Sequence, residues 1–182
     1  MAPARSPLRR VAHTFARDRT GLALVEFAFA FPVLLLLYLG TFTFADAFAC
    51  SRKVTLTARS VADLTTRYPS LTQAEAAAIL DASAKILAPY AVSNAVIVLS
   101  EVRVASSTTA TVVWSKALNG SALATNSTVT VPANMTSTGT YVILGQVTYT
   151  YTAALPWGNI GSYTLSDRIM MLPRVSDSVP LS

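Results

Sequence analysis

The sequence predicts an α+β protein: a long N-terminal transmembrane helix that continues into an amphipathic helix, a second short helix, and then an antiparallel sheet. Three observations predict it. Residues 22–45 form an apolar run, apolar positions then recur every three or four residues as far as Tyr68, and beyond Pro89 the period shifts toward two. The 182 residues leave room for one ordinary globular domain and one anchoring element. Only 13% of residues are charged, 52% are hydrophobic, and mean hydropathy is +0.47. A soluble domain carries roughly 25% charge, so part of this chain is expected in lipid. The expected division is a basic leader over residues 1–21, a membrane helix over 22–45 and an extracytoplasmic domain over 46–182.

The formal charge of +5 is concentrated in the leader, where Arg5, Arg9, Arg10, Arg17 and Arg19 stand against Asp18. Beyond residue 21, nine basic and eight acidic residues nearly cancel. No dense basic surface remains for a nucleic-acid backbone, and that partner class is excluded. The single cysteine, Cys50, rules out an intrachain disulfide and reads as a small apolar residue near the end of the lipid span.

Residues 22–45 contain one ionisable side chain in 24 residues. At a rise of about 1.5 Å per residue such a run covers a hydrocarbon core about 30 Å thick. It is too long for the apolar region of a cleavable secretory signal. Five arginines precede the run, whereas only Arg52 and Lys53, beside Asp46, follow it closely. The positive-inside rule therefore puts the N-terminus in the cytoplasm and the C-terminal domain outside it.

Past the span, Ala47, Ser51, Val54, Ala58, Val61 and Thr65 keep a helical period, and Arg52, Arg59, Asp63 and Arg67 mark the opposite face. Asp63 and Arg67 are spaced for an i,i+4 pair. Tyr68, Pro69 and Ser70 end the helix, because proline pushes its predecessor out of the helical region. A second helix is expected over residues 72–87, with Thr72 and Glu75 as a capping box and Ala76, Ile79, Leu80, Ala84 and Leu87 on its apolar side. Residues 95–104 and 109–116 read as a hairpin, and residues 119–139 as an exposed loop with at most a short strand over 128–131. Residues 141–151 put Tyr141, Ile143, Val147, Tyr149 and Tyr151 on one face; Tyr141, Tyr149, Tyr151, Trp157 and Tyr163 read as core filling rather than as a partner surface. A turn at Pro156, Trp157 and Gly158 precedes a last strand over 163–171, then Pro173 and Arg174.

Glu26 is the most informative residue. A carboxylate in a lipid-spanning helix costs on the order of 2.5 to 3.5 kcal/mol unless it is paired or near the interface. Two readings fit: the side chain snorkels to the headgroups or is protonated, or it has a functional partner. Gly21 closes the basic leader five residues earlier, Phe27 follows, and Pro32 interrupts the apolar run. With Val25-Glu26-Phe27-Ala28 and Gly40, this pattern resembles the TadE/TadG-like family of tight-adherence pilus proteins, and its TadE-type pseudopilins first.

The resemblance implies a pilin-like fold, placement in a bacterial inner membrane, and a part in pilus assembly, adhesion and type IV pilus-related secretion machinery. It implies processing by a prepilin-type peptidase between Gly21 and Leu22. It assigns Glu26, with Phe27 and Pro32, to assembly, the carboxylate meeting the new N-terminal ammonium of a neighbouring subunit. The implied partners are the lipid bilayer, the peptidase, other pilin-like proteins and pilus-assembly subunits. The domain is longer than a major Flp pilin and lacks the large insertions of TadG-type members.

Little chemistry points to an enzyme. The only histidine, His13, lies in the leader, and one cysteine with no histidine in the domain leaves no zinc or thiol site. No cofactor, metal or small-molecule substrate is expected. Glu75, Asp81, Glu101 and Asp167 read as solvated or salt-bridged surface positions, and the sequons at Asn119, Asn126 and Asn134 as chance matches in a polar loop. Two other functions fit the same topology: an uncleaved, signal-anchored binding or adhesion module, and an anchored hydrolase with an unsuspected serine site.

Overall fold

The computed structural model describes residues 20–133, 137–157 and 160–182. Residues 1–19 of the basic leader expected over 1–21, His13 among them, the Asn134 sequon and Gly158 lie outside the described residues. The chain divides into two compact units, the first ending at Phe44 and the second covering Ala45–Ser182. Helix α1 (Thr20–Thr65) supplies both.

In the first unit, every residue from 21 to 44 except Leu39 and Thr43 is exposed. Its surface is formed by leucine, phenylalanine, valine and alanine on all sides, as expected of a helix whose solvent is lipid. The Thr43 hydroxyl donates to the Leu39 carbonyl at 2.9 Å, which satisfies a polar group inside an apolar run.

In the second unit, the apolar stripe of α1 narrows to one face. Val54, Ala58 and Val61 are buried, Arg52, Arg59 and Arg67 are exposed, and Arg67 pairs with Asp63 at 2.5 Å. Helix α1 ends at Thr65, slightly before the Tyr68-Pro69 stop. Helix α2 (Gln73–Ala84) follows, its Thr72 hydroxyl accepting from the Glu75 N–H at 3.3 Å and its Glu75 carboxylate accepting from the Thr72 N–H at 2.8 Å. These bonds also hold the Glu75 carboxyl below its ordinary value.

Strands β1 (Ala95–Val104), β2 (Thr109–Leu118), β3 (Thr128–Thr130), β4 (Tyr141–Trp157) and β5 (Ile160–Met171) form one antiparallel, curled sheet in the order β3-β2-β1-β4-β5. The α+β class expected from the sequence is therefore observed. One sheet face packs on α1 and α2 through Ile97, Leu99, Ile143, Val147, Tyr149 and Tyr151. The other face gathers Val102, Val104, Val112, Val142 and Leu144. Glycine is required where α1 crosses β4, because a Cβ at Gly145 would lie 2.5 Å from the Ala58 carbonyl oxygen and 3.2 Å from the Ala62 nitrogen.

Cys50, read as a small apolar residue, packs in the core of the second unit. Three expectations are corrected. Glu101 is not a surface residue: it is 1% exposed and accepts from the N–H groups of Val179 and Trp114. The segment 119–139 is not simply an exposed loop, since Val131 is buried and Leu123 half-buried under the second sheet face, an apolar surface that needs cover. Pro156 and Trp157 belong to β4 rather than to a turn. A register irregularity between Thr152 and Trp157 accommodates the proline, which cannot donate to a ladder.

Candidate functional site

The residues singled out for processing and assembly, Gly21, Leu22, Glu26, Phe27 and Pro32, all lie in the opening turns of α1 and all are exposed. Leu22 and Glu26 are four residues apart, which stacks them on one helix face with Phe29 and Ala30. Phe27 turns to another face and meets Phe31, ring centroids 5.5 Å apart. Among the described residues Glu26 has no ion-pair partner. A Cβ at Gly21 or Gly40 would meet nothing within 4 Å, so internal packing does not demand glycine at either position. The residues expected to act in processing and assembly are thus presented outward.

A second cluster was missed by sequence reading. Asp46, the first acid after the apolar run, receives the Tyr90 hydroxyl at 2.9 Å and the Tyr151 hydroxyl at 2.5 Å. Burial and the carboxylate raise both phenols, since ionising either would put two negative charges together. Cys50, one helical turn on, is pushed up to about 11 by burial and then by Asp46. It is an inert thiol packed beside the clamp. The clamp fixes α1 to β4 and to the segment before β1 where the chain enters the second unit. The available signal was the i,i+2 repeat of Tyr149 and Tyr151 together with an acid at the end of the span.

The third polar cluster fastens the C-terminal segment. Glu101 on β1 accepts from the Val179 N–H at 2.5 Å and from Trp114 Nε1 at 3.1 Å, and the same indole nitrogen donates to the Val179 carbonyl at 2.8 Å. Burial raises the Glu101 carboxyl, opposed by the two N–H donors. The Leu71 N–H donates to the Pro180 carbonyl and the Ser182 N–H to the Leu71 carbonyl, both at 2.9 Å, and Arg174 pairs with Asp63 at 2.6 Å. Among the described residues no group of three His, Cys, Asp or Glu side chains is placed to hold a metal ion.

One apolar helix long enough to span a bilayer, joined to an α+β domain, fits a single-pass membrane anchor. The class is that of an anchored protein whose span carries one carboxylate near its start. Comparison with protein families makes this specific: the TadE-like protein family matches residues 21–63, so the chain carries a TadE-like segment that includes Gly21, Glu26, Phe27 and Pro32. This is the family that the N-terminal pattern resembled, and it points to the tight-adherence pilus system. No curated protein and no solved structure matches the chain.

Proposed function

We propose that the chain is a minor pilin or pseudopilin-like subunit, non-enzymatic, that assembles into or under a tight-adherence (Flp-type) pilus. In this reading residues 22–45 span the bacterial inner membrane, the N-terminus is cytoplasmic, and the domain from residue 46 onward is periplasmic or extracellular. A prepilin-type peptidase cuts between Gly21 and Leu22. Other pilin-like and pilus-assembly subunits then pack against the exposed apolar helix.

The observation that carries the reading is the outward carboxylate of Glu26 on an otherwise apolar surface, five residues after Gly21 in the TadE-like segment. An unpaired carboxylate in lipid is costly, whereas a carboxylate and an ammonium in a low-dielectric medium attract far more strongly than in water. The cut would create that ammonium on Leu22. A neighbouring subunit in the right axial register would bring its ammonium to Glu26, and one in the wrong register would leave both charges unpaired.

The test is Glu26→Ala, expressed in the native host. Recovery of other pilus subunits with the variant is expected to fall by about tenfold or more, the equivalent of losing about 1.4 kcal/mol at each contact, with membrane insertion and domain unfolding unchanged. Undiminished recovery would contradict the proposal and favour an anchor that is never assembled.

A further inference from the structure

At the end of β1 and β4 away from Tyr151, the face that packs on the helices becomes exposed. Along β1 that face carries Ile97, Leu99 and Glu101, all buried, and then Arg103, which is exposed. Arg103 pairs laterally with Thr111 on β2 and with Tyr141 on β4. Directly paired residues of neighbouring strands share a face, so threonine, arginine and tyrosine form a polar row at this end of the face. The row floors a cleft of about 560 Å³ whose walls include Asn126, Thr138 and Gly139.

The cleft is shaped by the backbone as well as by side chains. Asn126 and Gly139 take the left-handed region at φ 66° and 93°. Their N–H groups donate to the carbonyls of Val112 at 2.8 Å and Val104 at 2.8 Å, which fixes both walls to the sheet. A Cβ at Gly139 would sit 4.0 Å from Arg103 Nη2, which places this wall beside the guanidinium. The guanidinium carbon lies 5.9 Å from the Tyr141 ring centroid, a cation–π contact that steadies the side chain.

The electrostatics are one-sided. Among the described residues no carboxylate lines the cleft, and the ion pairs involve Arg67 and Arg174, both with Asp63. The acid nearest along the strand, Glu101, is already bonded to the Val179 N–H and Trp114. An entering ligand therefore meets a single planar cation surrounded by neutral hydroxyl and amide groups. A guanidinium matches a carboxylate with two parallel N–H bonds, and threonine, asparagine and tyrosine side chains match hydroxyls as donors or acceptors. The volume lies within the ordinary range for small-ligand sites, about 300 to 1,000 Å³.

We propose that this cleft binds a carboxylate flanked by hydroxyl groups, the chemistry of a uronic-acid unit of an acidic polysaccharide. Arg103 takes the carboxylate, and Thr111, Asn126 and Thr138 take hydroxyls. The site is formed by the second unit alone, so its occupancy does not depend on processing at Gly21 or on the role of Glu26.

The test is titration of the full chain in detergent micelles with sodium glucuronate, followed by calorimetry, against glucose, acetate and inorganic phosphate as separate probes. Saturable binding of glucuronate is expected, with glucose and acetate weaker by about tenfold or more, since each lacks one half of the recognised chemistry. Arg103→Gln is expected to weaken glucuronate by about tenfold or more. Asn126→Asp keeps a residue that tolerates the left-handed corner but adds a like charge to the ligand, and it too is expected to weaken binding with the unfolding temperature unchanged. Absence of saturable glucuronate binding, equal binding by either variant in a folded state, or phosphate binding as tightly as glucuronate would each overturn the proposal.

Discussion

Phe29 on α1 is 78% exposed, whereas Ile143 on β4 is fully buried, and each is typical of its unit. Residues 21–44 present apolar groups outward and bury almost nothing within the chain. Residues 45–182 close theirs between helix and sheet, and between the sheet and its covering segment. The polar groups differ in the same way. Glu26 has no ion-pair partner among the described residues, while Asp46, Glu101 and Asp63 are each matched within the chain. Apolar side chains are therefore a poor guide to where a core lies unless the partners of the nearby polar groups are known. The second unit pairs these acids within itself, whereas the first leaves its apolar side chains and Glu26 exposed.

The largest effect that would sharpen this contrast is expected at Gly145. Gly145→Ala pushes a methyl group into the α1 backbone at Ala58, and overpacking of this kind costs about 3 kcal/mol. Chemical unfolding of the full chain in micelles should report it, with membrane insertion intact. Full stability of the variant would mean that α1 does not approach β4 as described.

Next comes Glu101. Glu101→Leu leaves the Val179 N–H buried without an acceptor and should cost about 2 kcal/mol, with earlier proteolysis of the segment beyond residue 171. The acid also gives a pH signature. Its carboxyl is raised above 4.5 in the folded state, so the folded chain holds the proton more tightly than the unfolded chain does. Its contribution to stability is full below that unfolded value and is lost as pH rises through the folded one. Glu101→Gln should flatten that part of the stability curve, and an unchanged slope would assign it to another group.

A smaller effect is expected at Thr72. Thr72→Ala removes the capping box of α2 and should lower stability by about 1 kcal/mol, read from the same unfolding curves. A loss several times larger would mean that Thr72 also holds the C-terminal segment, which bonds to the neighbouring residues Leu71 and Gln73.

Much of the second unit is readable because its signals are local. The Thr72–Glu75 box, the Val54–Ala58–Val61 stripe, the hairpin over 95–118 and the tyrosine alternation on β4 each lie within one element and obey its period. Glu101 breaks that logic. An acid in an alternating strand reads as exposed, and the N–H that stabilises it belongs to Val179, 78 positions later. The Arg103 row is hidden for a similar reason, since it depends on a β1–β2 register that shifts between Glu101 and Val102. The Asp46 clamp joins groups 44 and 105 positions apart. The residues expected to act in assembly are legible because they fit within two turns of one helix and a family pattern.

The central claim is that the first unit is trimmed and then matched by a neighbour. Intact mass and N-terminal sequencing of the protein recovered from assembled pili test it most directly. A polypeptide beginning at Leu22 is the predicted result, and one that still carries residues 1–21 in the assembled fraction would contradict the account.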